Sequence, residues 1–282
     1  MPELPEVEVL VRHLAPLVKN RTVRRAIVRR PKIVLPSTQE QIVRKLRGAK
    51  FVGLMRRGKY LLFEMRGSKG QRFPLVGHLG MTGRMYLAPE KNPLPKHAAV
   101  VMELGGENFI FEDTRYFGRM TLDDSAIAAL GPEPLGEAFT AEYFANALRG
   151  SSQAIKVKLL DQQVIAGVGN IYASEALFRA GISPRVAAGR LKAGQIARLR
   201  ETIRETLQDA IDRGSTIPLN YSGERVRDGL FYFGSAPNAG DFYEERLQVY
   251  DREGKPCRTC KTSVKRIVQG ARSTFYCPKC QR

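Results

Sequence analysis

Four cysteines constrain this 282-residue chain more than any other feature. They stand as Cys257-Arg-Thr-Cys260 and Cys277-Pro-Lys-Cys280, with 16 residues between the pairs. Two Cys-x-x-Cys pairs at that separation match the four-cysteine zinc pattern, and pairing of this kind favours a metal in a reducing compartment over disulfides. Four thiolates fill the coordination of a tetrahedral Zn²⁺ and leave no open position, so the ion is structural. The intervening segment must then fold as a short β-hairpin, a zinc ribbon. It carries Lys261, Lys265, Arg266 and Arg272, and no acidic residue follows Glu253.

That basic face belongs to a basic chain. Lys and Arg total 46 against 28 Asp and Glu, a net charge of +18. A protein this basic meets a polyanion, either nucleic acid or an anionic membrane surface. No run of 18 apolar residues is present, so a spanning helix is not expected. Glu3, Glu6 and Glu8 occupy the place where a secretory signal has its positive charges. A cytoplasmic protein is the expectation.

Along the chain, Val7, Val11, Leu14 and Val18 recur at helical spacing, with Pro16 near the end of the helix. Thr22 to Arg29 reads as a strand. Ser37 and Glu40 form a capping-box pattern before Ile42, Val43 and Leu46, and Gly48 stops that helix. From Lys50 to Leu122 the text changes to short β segments, among them Tyr60–Met65, Phe73–Gly77, Ala98–Leu104 and Asn108–Glu112, with Gly105-Gly106 as a hairpin turn. This predicts a β-rich N-terminal domain, a sandwich or flattened barrel carrying two helices. The Pro- and Gly-rich stretch Gly131–Gly136 reads as a linker. Beyond it the pattern is helical at Ala141–Leu148, Ala154–Leu160, Ile171–Ala180 and Ala193–Asp212. Gly167-Val-Gly-Asn170 precedes one of those helices. It suits an anion site for a DNA phosphate, and equally an ordinary turn with Asn170 as N-cap. The expected division is 1–131, 132–213, a connector at 214–240, and the zinc finger at 241–282.

Chemistry is suggested first by the N-terminus. Loss of Met1 would leave Pro2 as a free secondary amine beside Glu3. An α-amino group has a pKa of about 8, so about a tenth of it is neutral at pH 7 and able to attack an electrophilic carbon. The same prolines, Pro2 and Pro5, also suit a helix start, where proline's missing N–H costs nothing. Loops in the β-rich part carry Lys59, His78, Met81, His97, Arg115 and Phe117. Apolar wedges and arginines of this kind enter the gap when a base is prised from a duplex, although Met81 and Phe117 taken singly also suit core packing.

Taken together these segments resemble the bacterial formamidopyrimidine-DNA glycosylases, bifunctional glycosylase/AP lyases that remove oxidised purines. The resemblance covers nearly the whole chain. It rests on Met1-Pro-Glu-Leu-Pro-Glu-Val-Glu8, Arg57-Gly-Lys-Tyr-Leu-Leu62 and His78-Leu-Gly-Met-Thr-Gly83. It rests also on Asp113-Thr-Arg-Tyr-Phe-Gly118, Ala166-Gly-Val-Gly-Asn-Ile-Tyr-Ala-Ser-Glu175 and Arg272-Ser-Thr-Phe-Tyr-Cys277. It implies an α+β fold: an N-terminal β-sandwich with two helices, a helix–two-turns–helix domain and a zinc-ribbon hairpin. It implies base-excision repair of 8-oxoguanine and formamidopyrimidines in double-stranded DNA by a monomer associated with the nucleoid. Pro2 would attack C1′ and Glu3 would act as general acid toward the sugar ring oxygen. Lys59 and Arg272 would complete the catalytic set as phosphate grips. His78, His97, Asn170, Lys156 and Arg115 would contact DNA, and Met81, Arg115 and Phe117 would fill the gap left by the flipped base. Glu6 matches an acidic residue near the nucleophile. Cys257, Cys260, Cys277 and Cys280 would hold one zinc ion. Three departures stand out: Ser152 where a lysine is common, Tyr116 where relatives often have a basic residue, and an unusual text over 217–239 where a lesion-covering loop is expected. Endonuclease VIII-like glycosylases for oxidised pyrimidines share Pro2, Glu3 and Lys59, but carry Gly in place of Leu4 and lack the Met81, Arg115 and Phe117 set. A non-catalytic zinc-ribbon DNA-binding protein would have no use for a free Pro2.

Overall fold

The structure, a computed structural model of the chain, describes residues 2–214 and 247–282. The described chain divides into two compact units. One holds Pro2 and Glu6–Ala129; the other holds Glu3–Pro5, 130–214 and 247–282. The connector expected to cover a lesion lies, apart from Gly214, outside the described residues.

The first unit runs α1 (Leu4–Val18), β1 (Arg25–Val28), α2 (Gln39–Leu46), β2 (Lys50–Arg57), β3 (Tyr60–Arg66), β4 (Arg72–His78), β5 (Gly83–Pro89), β6 (Ala98–Glu103), β7 (Glu107–Asp113), β8 (Arg119–Thr121) and the single turn α3 (Ser125–Ala128). Its strands form two antiparallel sheets, in the orders β1-β6-β7-β5 and β2-β3-β4-β8. The inner faces meet at aromatic rings. Phe51 of β2 and Phe63 of β3 lie 6.1 and 5.6 Å from Phe109 of β7, and 5.9 Å from each other. Such edge and tilted contacts add to the burial of large rings. Val7, Val11, Leu14 and Val18 of α1 join this core, as their helical spacing requires. Between β6 and β7 the turn residues Gly105 and Gly106 have φ of +81° and +86°, the mirror-image turn that matches strand twist.

Two local expectations are corrected here. The capping box of α2 is Thr38 with Gln41, one residue later than Ser37 with Glu40. Ser37 is instead buried, its Oγ 2.9 Å from Thr121 Oγ1 and accepting from the Leu122 N–H at 3.0 Å. The strand expected over 22–29 is shortened to β1, with Thr22 in an isolated bridge to Lys50.

The second unit holds α4 (Ala141–Leu148), α5 (Ile155–Lys158), α6 (Asn170–Ala180), α7 (Ala193–Asp212) and the hairpin β9 (Lys265–Gln269) with β10 (Arg272–Tyr276). Helices α4 and α7 match their expected bounds. The segment expected over 154–160 is a single turn, α5. Helix α6 is buried on nearly every side, and Gly181 at φ +65° ends it in the left-handed cap that glycine tolerates best. This is the expected α+β architecture. No helix among the described residues is long and apolar enough to cross a membrane.

Candidate active site

The N-terminus of α6 carries an anion, but the anion is the protein's own. The Ile171 N–H donates to Glu3 Oε1 at 2.9 Å and the Tyr172 N–H to Glu3 Oε2 at 3.4 Å. These are the donors left over at a helix start, and the helix dipole favours negative charge there. Two of the N–H donors at this turn are therefore taken by Glu3. Asn170 is not the N-cap: Gly169 is, and Asn170 opens the helix. The glycines have a steric purpose. A Cβ at Gly169 would lie 2.3 Å from the Glu3 carboxyl carbon, and one at Gly167 would lie 2.7 Å from Leu4 Cβ. The Leu4 N–H donates to Gly167 O at 3.1 Å. Gly-x-Gly-Asn here makes room for the segment that follows Pro2.

Asn170 is free to bond elsewhere. Its Nδ2 donates to Ser273 O at 2.9 Å, next to Arg272 on β10, and its Oδ1 accepts from Lys156 Nζ. Lys156 is fully buried, and its ammonium donates to Asn170. Burial first, then the charge of Arg272, brings the Lys156 pKa down to about 8, against an opposing pull from Glu3. Arg272 itself is exposed beside the Gly270-Ala271 turn. A residue not singled out in advance holds the approach to the zinc ribbon. Glu175 of α6, fully enclosed, accepts from the N–H groups of Gln248, Val249 and Tyr250 at 2.8, 3.0 and 2.9 Å. Burial pushes its pKa up, and the three N–H donors pull against that shift. Glu175 is the one acidic residue of α6, and that was the visible signal.

In the first unit the loops 78–83 and 113–118 are welded together. Asp113 is fully buried and accepts from Thr82 Oγ1 at 2.5 Å, from the Arg115 N–H at 3.1 Å and from the Gly118 N–H at 2.7 Å. The backbones touch at Gly80, φ +62°, where a Cβ would lie 2.6 Å from Gly118 N. Above this weld the apolar tips stand in solvent: Met81 is 43% exposed and Phe117 54%. The Arg115 guanidinium lies 4.9 Å from the centre of the Phe117 ring. Tyr116 between them has φ +56°, an uncommon conformation for a bulky residue. Its hydroxyl is 3.1 Å from His97 Nδ1, and its ring lies 5.0 Å from the Arg30 guanidinium.

Lys59 follows Gly58, φ +56°, in the turn between β2 and β3, and is nearly buried. His78 ends β4, opposite Tyr60, and its Nδ1 accepts from the Gly80 N–H at 3.0 Å. Burial, then the charges of Lys59 and Arg119, lowers the His78 pKa to about 4. The ring is neutral at physiological pH, and with Nδ1 accepting, its proton sits on Nε2. His78 can donate one hydrogen bond to a phosphate but offers it no charge. Pro2 and Glu6 are both buried.

The four cysteine Sγ atoms lie within 4.8 Å of one another, with Cys257 to Cys280 at 3.9 Å and Cys260 to Cys277 at 3.4 Å. Sulfurs at the corners of a zinc tetrahedron, about 2.3 Å from the ion, stand about 3.8 Å apart. The cluster is thus positioned to bind one zinc ion, closed to any substrate, at the base of the hairpin that carries Arg272.

Comparison with known proteins accords with this geometry. The formamidopyrimidine-DNA glycosylase N-terminal domain family matches residues 1–120, the formamidopyrimidine-DNA glycosylase H2TH domain matches 130–220, and the zinc finger found in FPG and IleRS matches 254–282. The formamidopyrimidine-DNA glycosylases of Paracoccus denitrificans and Thiobacillus denitrificans are each 42% identical to this chain, with all of both chains covered. Among solved structures, a variant of Lactococcus lactis FPG with a Fapy-dG containing DNA superposes with a TM-score of 0.87 at 34% identity. MutM with a carbocyclic 8-oxo-G containing DNA gives 0.85, also at 34%. Both cover the full length of each chain.

Proposed function

Because the chain belongs to the formamidopyrimidine-DNA glycosylase family, we propose that it excises oxidised purines from duplex DNA through an iminium formed at Pro2 and then nicks the strand. The single observation that carries this reading is the placement of Glu3. The carboxylate next to the amine is fixed at the start of α6, in a space that a Cβ on Gly169 would take from it.

With Met1 removed, the Pro2 nitrogen attacks C1′ of the damaged nucleotide, and the base departs with the electron pair of the glycosidic bond and takes a proton from solvent. Glu3 accepts the proton that the amine sheds and passes it to the ring oxygen, opening the sugar. The product is an iminium, cationic without further protonation. It acidifies C2′–H, so loss of that proton expels the 3′ phosphate, and a second elimination expels the 5′ phosphate. Water then returns the free amine. Lys59 and Arg272 grip phosphates as cations; Asn170 holds the strand that carries Arg272, and Lys156 holds Asn170. Neutral His78 donates from Nε2. Met81, Arg115 and Phe117 occupy the gap left by the flipped base, since a base cannot be processed inside the stack. His97 works beside them through Tyr116. The proposed division of labour follows 1–131 for chemistry, 132–213 and 241–282 for gripping DNA, and 214–240 for the lesion. The protein acts as a monomer on chromosomal DNA in the cytoplasm.

Borohydride reduction tests the reading. Protein shown by mass spectrometry to lack Met1 is offered duplexes containing 8-oxoguanine opposite cytosine, an oxidised pyrimidine, or a bare abasic site. A covalent adduct on the first and third supports the proposal. Absence of any adduct sinks it, and an adduct strongest on the oxidised pyrimidine turns it toward the endonuclease VIII-like class.

A further inference from the structure

The sheet β1-β6-β7-β5 is antiparallel throughout, so the end of β1, the start of β6, the end of β7 and the start of β5 share one rim. Backbone bonds tie that rim together. The N–H groups of Arg29 and Arg30, just past β1, both donate to Ala99 O, at 2.8 and 3.3 Å, and the Asp113 N–H donates to His97 O at 3.1 Å. Loop 78–83 ends at Gly83, opposite Asp113, where loop 113–118 begins. Arg30 therefore stands two strands away from the loop that carries Arg115 and Phe117, about 10 Å at ordinary strand spacing.

Tyr116 closes that distance. Its left-handed backbone, φ +56°, sends its side chain away from the Arg115–Phe117 pair. The hydroxyl lies 3.1 Å from His97 Nδ1, and the Arg30 guanidinium lies 5.0 Å from the centre of the ring. A bulky residue keeps so uncommon a conformation only where its surroundings enforce it. Here the ring is half-buried and packs against the sheet core, so it is a fixed support.

Arg30 is exposed. Contact with a ring leaves its charge in place. Among the described residues no carboxylate pairs with it. The acids of this rim are spent elsewhere: Asp113 on the two loops, and Glu112 on Arg84 and Tyr86, each at 2.9 Å. Arg29 differs from its neighbour, because its Nη1 donates to Pro95 O at 3.1 Å. That bond ties the segment to the stretch before His97 and leaves Arg30 as the cation on offer.

We propose that Arg30 is a further DNA contact, gripping a backbone phosphate beside the gap that Met81, Arg115 and Phe117 fill, and that Tyr116 is the positioning residue that carries it there. The contact extends the basic rim about 10 Å past the gap-filling loop. It rests on the excision reading, which sets DNA against the loops 78–83 and 113–118. A phosphate contact of this kind adds affinity and register and reads no base.

The test uses the full chain freed of Met1 and a duplex carrying a stable abasic analogue opposite cytosine, with affinity measured between about 50 and 200 mM salt. Arg30→Ala should bind about tenfold more weakly and flatten the slope of log affinity against log salt by about 0.9, one phosphate's worth. Arg30→Lys keeps the charge and should keep the slope. Tyr116→Ala should flatten the slope as much as Arg30→Ala, and the double variant no further, whereas Tyr116→Phe keeps the ring and the slope. Lys45 is the control. It too lies over a ring, 4.8 Å from the centre of Phe73, but near the start of β4, whereas loop 78–83 leaves the end of that strand. Lys45→Ala should leave the slope unchanged. The slope belongs to the protein that binds, so partial unfolding of a variant does not alter it. An unchanged slope for Arg30→Ala, or an equal change for Lys45→Ala, overturns the contact. Slopes that add in the double variant overturn the role of Tyr116. A parent protein that binds the abasic duplex no better than an intact one overturns the excision reading, and this contact with it.

Discussion

A carboxylate that accepts two main-chain N–H groups has few substitutes. Glu3→Gln keeps the shape, but its amide N–H₂ would face one of the donors of Ile171 or Tyr172. We expect a folded protein whose single-turnover excision falls by about 10²–10⁴, the usual contribution of a positioned proton donor; a rate within a few-fold of the parent would remove Glu3 from the chemistry. His78 makes a second prediction at this scale. Its pKa is lowered from 6.5 to about 4 by burial, then by Lys59 and Arg119. The unfolded chain binds the proton first as pH falls, so the stability contributed by neutral His78 is complete above about 6.5 and is lost as pH drops toward about 4. NMR titration of the three histidines checks this, and a normal midpoint for His78 refutes it. That Pro2 and Glu3 could do chemistry was legible from their adjacency and residue types. What holds Glu3 was not, since its partner Ile171 lies 168 residues away.

At the scale of elements, spacing in the text located α4, α7 and most strands, because burial of one face is written as periodicity. It misplaced the α2 cap by one residue, because Ser37 and Thr38 carry the same hydroxyl chemistry and only the packing of Ser37 against Thr121 separates them. The glycines before α6 were ambiguous for a related reason. A gap looks the same in sequence whether a phosphate or a carboxylate fills it. Gly169→Ala should therefore displace Glu3 and cut excision roughly a hundredfold, as small misplacements in an active site do, while duplex binding is largely kept. Equal losses of both would mean that α6 itself has shifted. The weld at Asp113 supports a companion test. Asp113→Asn leaves one carbonyl oxygen for donors that now share two. The cost should be about 1–3 kcal/mol in thermal or denaturant unfolding, with weaker binding of lesion duplex.

For the molecule as a whole, net charge of +18 sets the salt response. Log affinity should fall linearly with log salt, and Arg272→Ala should flatten the slope by about 0.9, one phosphate's worth of counterions. His78→Ala should leave the slope unchanged, because the ring is neutral. Loss of zinc should act through the same hairpin. Cys277→Ser, with metal content measured directly, should free β10 from its anchor and weaken DNA binding roughly ten- to a hundredfold, the worth of one charged hydrogen bond. Full affinity in protein shown to be free of zinc would separate the ribbon from the grip on DNA.

Some of this was settled by residues that are neighbours in the chain. The zinc set, the helical and β-rich regions, the positive charge and the Pro2-Glu3 pair all depend on local spacing or on sums, and these survive any folding of the chain. Tertiary structure alone decided which donors Glu3 meets, that Lys156 reaches Asn170, and that Asp113 ties two loops together. Each of those depends on segments far apart in sequence meeting within 3 or 4 Å, and on which polar group reaches a buried partner before water does. Periodicity records which face is buried; it does not record what lies against it.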